Sequence, residues 1–222
     1  MSQLGAMTGT AGAVTTLNLP YCPEYLVVGD TFSGTFELTN FSVSINGQST
    51  FELIGADDID AVAQIRSNAS DTIGGATGNI MGLKLSDGQI NAPTLIRLTN
   101  EGTNADNIYG VSTSVGTAPY RYSQFTVNAT SNQQFSQFDS LLINSSPTNI
   151  DSIEIQYVDG FKDRFDAVEL PLLWRELYSG ESTSEFSAGG DIAFIDNQDG
   201  NIANATIYTN ASGSSTVTVG RI

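Results

Sequence analysis

Phe41-Ser42-Val43-Ser44-Ile45-Asn46-Gly47, followed shortly by Phe51-Glu52-Leu53-Ile54, carries the pattern on which the fold turns. In extended chain Phe41, Val43 and Ile45 share one face and Ser42 and Ser44 the other. Asn46-Gly47 ends the run with residues that tolerate positive φ, the chemistry of a tight turn. The same period of two recurs outward along the chain. Met81, Leu83 and Leu85 alternate with Gly82 and Lys84; Ile153, Ile155 and Tyr157 alternate with Ser152, Glu154 and Gln156; Val217 and Val219 alternate with Thr216 and Thr218. Asp87-Gly88, Asp159-Gly160 and Asp199-Gly200 supply further turns. Each run gives one apolar and one polar face, as antiparallel sheets packed on one side require. Roughly fourteen to sixteen such runs, spaced about 8–15 residues apart, make the rhythm of a sandwich or barrel.

Two segments break the period. Residues 57–66 begin with Asp57, Asp58 and Asp60 and end with Arg66, which complements a helix macrodipole. Ile59, Val62, Ala63 and Arg66 fall on one stripe, enough for a short helix against a sheet. Residues 172–178 include Trp174 and follow Pro171, which suits a first helical position; a buried strand reads equally well there.

The chain has 222 residues, enough for one large domain or two small ones. Residues 101–118, rich in Gly, Thr, Ser and Asn, divide it almost in half. The expected organisation is a small polar N-terminal arm over 1–16, a first unit over 17–117 and a second over 118–222. Each unit then has the strands of one eight-stranded jelly roll, without a sequence repeat between them. The expected fold is therefore all-β: two consecutive eight-stranded jelly-roll β-barrels with one or two short helices.

Composition removes whole mechanisms. With no histidine there is no Ser-His-Asp triad and no imidazole base near neutral pH. One cysteine, Cys22, rules out an intrachain disulfide and a multi-thiolate zinc site. Twenty-four acidic side chains against 8 basic ones leave a balance of −16, with no cationic cluster to replace condensed counterions on DNA or RNA. Direct nucleic-acid binding is not expected. No stretch approaches the roughly 18 apolar residues of a membrane-spanning helix, and the opening residues lack a basic, then apolar, targeting pattern.

Several clusters invite a chemical reading, and each has a structural alternative. Asp57, Asp58 and Asp60 form the densest local charge. They are calcium candidates, since calcium is bound by oxygen ligands, but the favoured reading is an acidic first helical turn capped by Asp57. Asp196-Asn197-Gln198-Asp199-Gly200-Asn201 is rich in oxygen but departs from the EF-hand pattern at Gln198 and lacks the closing glutamate; a hairpin turn accounts for it. Asp163, Asp166 and Glu169 could furnish the carboxylate pair of a glycosidase, or simply line a solvated strand. The glycines of residues 73–78 resemble a phosphate loop without its lysine. Cys22 sits between Pro20-Tyr21 and Pro23 with no cation near it in sequence, as expected of an unreactive thiol. No cofactor is expected, calcium being the single candidate ion.

The Phe51–Ile54 strand running into the 57–66 segment, the 161–178 segment and the strand-like C-terminus (205–208 and 215–219) together resemble a known family. The chain is similar to the double jelly-roll major capsid proteins of icosahedral phages with an internal membrane, of the tectivirus, corticovirus and finnlakevirus type. That resemblance implies a structural virion protein, not an enzyme. It implies a homotrimer whose six barrels make a pseudo-hexagonal tile, neighbouring capsomers and minor capsid or membrane proteins as partners, and assembly in the host cytoplasm. A coat separated from the genome by a membrane also needs no basic arm, in keeping with the charge balance. The competing expectation is a secreted or surface β-sandwich, an adhesin or carbohydrate-binding module, and a third is a glycoside hydrolase with a carboxylate pair in an aromatic cleft.

Overall fold

The computed structural model describes residues 1–29, 36–56, 58, 59, 62, 77, 78, 81–103, 105–145, 147–166, 169 and 192–221. The chain divides into two compact units, Met1–Ser123 and Gln124–Arg221.

The first unit holds β1 (Ser2–Ala6), β2 (Ala13–Leu19), β3 (Tyr25–Val28), β4 (Phe36–Ile45), β5 (Gln48–Ile54), the two-residue β6 (Thr77–Gly78), β7 (Met81–Lys84), β8 (Thr94–Asn100) and β9 (Asn107–Val111). One sheet runs β1-β9-β3-β7; the other contains the path β2-β8-β4-β5, with β6 beside β4. The decisive stretch behaves as its period requires. Phe41 and Val43 are 1% exposed and Phe51 is fully buried, while Asn46 and Gly47 take φ of 55° and 78° and close the β4–β5 hairpin. Each buried side chain of this size contributes about 1.5–3 kcal/mol, so a one-residue slip, which would turn all of them outward, is strongly opposed. Phe51 meets Phe41 edge-on at 5.7 Å and Tyr122 at 5.4 Å between ring centres.

The second unit contains β10 (Arg121–Val127, which starts just before the division), β11 (Asn132–Ser136), β12 (Ser140–Asn144), β13 (Ile150–Tyr157), β14 (Lys162–Asp166), β15 (Ile192–Asp196), β16 (Ile202–Thr209) and β17 (Ser215–Arg221), with a 3-10 turn at Pro147–Asn149. Its sheets run β15-β12-β17-β10 and β11-β16-β13-β14. Its core gathers Phe138, Leu141, Ile143, Ile153, Ile207, Val217 and their neighbours.

Setting aside β6 and counting strands within each unit, both have the same order: first-eighth-third-sixth in one sheet and second-seventh-fourth-fifth in the other. That order is a jelly roll. The fold is all-β, as expected from the period of two.

Three expectations change, and the turns divide into two kinds. Residues 1–16 are not a free arm. Ser2–Ala6 pairs antiparallel with β9, and Ala13–Leu19 lies along β8. Small polar residues there form outer strands, because backbone hydrogen bonds need no apolar side chain. The division falls after Ser123, not at 117, because residues 112–118 are tied into the first unit by hydrogen bonds described below. The threonines of β17 do not make a solvated face: Thr218 is 0% exposed. Of the four Asn-Gly and Asp-Gly turns, two close hairpins and two turn corners. Asn46-Gly47 and Asp159-Gly160 join paired strands, whereas Asp87-Gly88 and Asp199-Gly200 lead from one sheet of their unit into the other.

Of the 57–66 helix, Asp58, Ile59 and Val62 are described; all three are helical and buried. Residues 172–178, Trp174 among them, lie outside the described residues, as do Asp57, Asp60 and residues 73–76.

Candidate functional site

Both units build their most elaborate polar arrangements at the corner between the sixth and seventh strands. In the first unit this corner begins at Leu85. The Leu85 N–H donates to the Glu24 carbonyl at 2.8 Å, and Cys22 and Ile90 exchange backbone hydrogen bonds of 2.8 and 3.0 Å. The buried Ser86 hydroxyl donates to the Gly88 carbonyl at 2.6 Å. Two carboxylates then hold the segment that follows β9. Glu24, 5% exposed, accepts from the Thr113 N–H at 2.8 Å and the Thr113 hydroxyl at 2.7 Å. Asp87 accepts from the N–H groups of Thr117 and Ala118 at 2.8 and 2.9 Å and from the Thr117 hydroxyl at 3.2 Å.

These donors set the ionisation. Burial alone would raise the Glu24 carboxyl, but the Thr113 donors and the Lys84 charge hold it below the usual glutamate value. Donors from Ala118 and Thr117 likewise hold Asp87 below the usual aspartate value against a smaller desolvation cost. Lys84 lies 5.3 Å from the Tyr25 ring centre and 5.8 Å from that of Tyr120. Burial opposes its charge, yet the two tyrosines and Glu24 raise it above the ordinary lysine value. Cys22 is fully buried and donates to the Pro23 carbonyl. Burial pushes its thiol up to about 12, only partly offset by Ser86 and Thr94, so almost no thiolate is present at neutral pH.

The second unit's corner rests on an amide. Asn197, 7% exposed, donates from Nδ2 to the Phe138 and Ile202 carbonyls at 2.8 and 3.0 Å and accepts from the Ile202 N–H at 2.7 Å. Its N–H donates to the Asp139 carbonyl at 2.8 Å. Asp196 accepts from the Gln198 N–H, and Gly200 completes the bend at φ 68°. The expected hairpin at residues 196–201 is thus a corner: β15 and β16 belong to different sheets.

The opposite connections converge on the last residue of the seventh strand in each unit. Asn100, 1% exposed, accepts from the N–H groups of Glu37 and Gly102 and donates to the Thr8 carbonyl. Thr209, 6% exposed, donates to the Asn128 and Ser131 carbonyls and accepts from the Ser131 N–H.

Of the three carboxylates that could furnish a glycosidase pair, Asp163 and Asp166 are separated. Register places Asp163 opposite Ile155 and Asp166 opposite Ser152, an odd number of residues apart on β14, so the two side chains take opposite faces. Asp163 hydrogen-bonds Tyr157, whereas Asp166 accepts from Arg164 at 3.1 Å and Glu169 accepts from the Asp166 N–H. Asp58 is 3% exposed, and among the described residues no three carboxylates or thiols gather as a metal site. Sequence reasoning passed over Glu24, Asn100 and Thr209 altogether. Asp87 and Asn197 were visible only as turn residues; their chemistry depends on backbone groups far along the chain.

No protein-family model matches the chain, and no curated protein matches its sequence. The crystal structure of the major capsid protein P2 from Bacteriophage PM2 matches with a TM-score of 0.63 at 13% identity, over 99% of this chain and 96% of that one. A conserved protein of unknown function from Pseudomonas aeruginosa PAO1 matches at TM-score 0.26 and 8% identity, over 94% of this chain and 78% of that one. Tandem CBM51 modules of a family 98 glycoside hydrolase from Streptococcus pneumoniae match at TM-score 0.21 and 8% identity, over 97% and 83%. The first likeness is one of fold across essentially the whole of both chains.

Proposed function

We propose that the chain is a major capsid protein of an icosahedral phage, a structural virion protein and not an enzyme. Three copies form a trimer whose six jelly rolls make a pseudo-hexagonal tile, and the tiles cover an internal membrane after assembly in the host cytoplasm. The observation that carries the reading is full-length likeness in fold to a phage major capsid protein, across two units of identical strand order. A chain with two such units needs only three copies to present six similar barrels around an axis. The balance of −16 supports the same role: it opposes contact with a genome and requires tile seams of neutral polar and apolar side chains. Charges facing each other across a seam narrower than the Debye length of about 8 Å are only partly screened at physiological salt.

Light scattering and negative-stain imaging of the purified chain test the proposal. Trimers that grow into hexagonally packed sheets or shells as salt rises are expected. A monomer that persists at every salt and protein concentration overturns it.

A further inference from the structure

The turn between β13 and β14 exposes two large apolar side chains, Val158 at 66% and Phe161 at 72%. Scattered exposed apolar residues are ordinary, but the turn that carries these two is hydrogen-bonded to the rim of a recess. The Val158 N–H donates to the Asn201 carbonyl at 3.0 Å, and Asn201 lines an open cavity of ≈ 330 Å³. Tyr157, Phe165, Ile155 and Ile202 give that cavity apolar walls, and Asp196 and Asp199 add carboxylates. Among the described residues no lysine or arginine lines the cavity. The nearby cations project from the other face of β14, where Lys162 pairs with Glu154 at 2.7 Å and Arg164 with Asp166.

An apolar recess whose carboxylates meet no lysine or arginine among the described residues matches one kind of group: a long alkyl stem ending in a positive charge. Its volume, at the small end of ligand pockets, suits a single side chain better than an extended polymer. We infer that this recess of the second unit docks a lysine- or arginine-bearing loop of a different protein. Among the described residues, a second copy of this chain is poorly equipped for the task. Lys84 is held by Tyr25 and Tyr120, Lys162 and Arg164 are in ion pairs, and Arg221 donates to the Gln137 carbonyl. Arg97 and Arg121 stand within β8 and β10, on strands rather than on protruding loops. The docking site stands on these groups alone and does not depend on the shell.

Isoleucine methyl NMR of the full chain tests it, with Ile155, Ile195 and Ile202 as reporters and Ile96 and Ile108 of the first unit as controls. The probe is the peptide acetyl-Leu-Lys-Leu-amide, compared with the same peptide acetylated on its lysine. Shifts confined to the three reporters are expected, with affinity about tenfold weaker for the acetylated peptide and for Asp196→Asn plus Asp199→Asn. The amide introduced at position 196 keeps an acceptor for the Gln198 N–H, and unchanged control signals report that the variant is folded. Equal binding of both peptides, or no shift at the reporters, overturns the inference. So do reporter shifts that follow protein concentration without peptide, since they would make a second copy the occupant.

Discussion

The two units share a strand order but hold their corners with different chemistry. In the first, the corner after the sixth strand depends on two carboxylates, Glu24 and Asp87, that accept from residues 113–118. In the second, the corresponding corner depends on the amide of Asn197. The last residue of the seventh strand is a buried polar hub in both, Asn100 in one and Thr209 in the other. A jelly roll therefore dictates where backbone groups are left without ladder partners, not which side chain satisfies them. Two units can agree in every strand and share no sequence repeat.

The strongest way to break the comparison is through the cores. Phe51→Ala removes a fully buried ring that touches Phe41 and Tyr122, and should cost about 4 kcal/mol. Phe165, on the fifth strand of the other unit but only partly buried, should cost about half of that. Hydrogen exchange resolved by residue assigns each loss to its own unit; equal costs would mean that fifth strands are interchangeable after all. Asn197→Asp comes next. It replaces the donor to the Phe138 and Ile202 carbonyls with a charge in a site 7% exposed, at about 3 kcal/mol near neutral pH. The introduced carboxyl would be raised in the folded state, so the variant should regain stability as pH falls. Denaturant midpoints measured at pH 7 and pH 5 check the sign.

What could be read from the chain follows the same division. Strands announced themselves because Phe41, Val43 and Ile45, or Ile153 and Ile155, display the period of two locally. The 57–66 segment was legible from a different local period, that of a helix, and Ile59 and Val62 are buried accordingly. The N-terminal strand was not, since Ser2–Ala6 is held to β9 by backbone groups that leave no mark on composition. The polar corners escaped because their partners are remote: Glu24 meets Thr113, and Asn197 meets Phe138. The recess beside Tyr157 combines residues from β13, β14 and the 196–201 corner, a set no local motif joins.

Acid should separate the units more gently. The contribution of Glu24 and Asp87 is fully present above the ordinary carboxylate values of 4.5 and 3.8, because their folded-state values lie below those. It is lost as pH falls through the lowered values. Amides of Thr113, Thr117 and Ala118 should therefore lose protection in acid, at pH below those ordinary values, while the Ile202 N–H, held by a group that does not titrate, keeps its own. Loss of both together, or of neither, would remove the distinction between the corners.

The smallest effect asks where the units are alike. Gly47 and Gly160 close the fourth-to-fifth hairpins at φ 78° and 91°, and a Cβ at either would meet nothing within 4 Å. The cost of alanine is then backbone strain alone, about 1 kcal/mol at each site. Gly47→Ala and Gly160→Ala should lower stability by the same amount despite the polar tip of one hairpin and the apolar tip of the other. A clear inequality, read by exchange in each unit, would show that Val158 and Phe161 hold their turn through contacts that the first unit lacks.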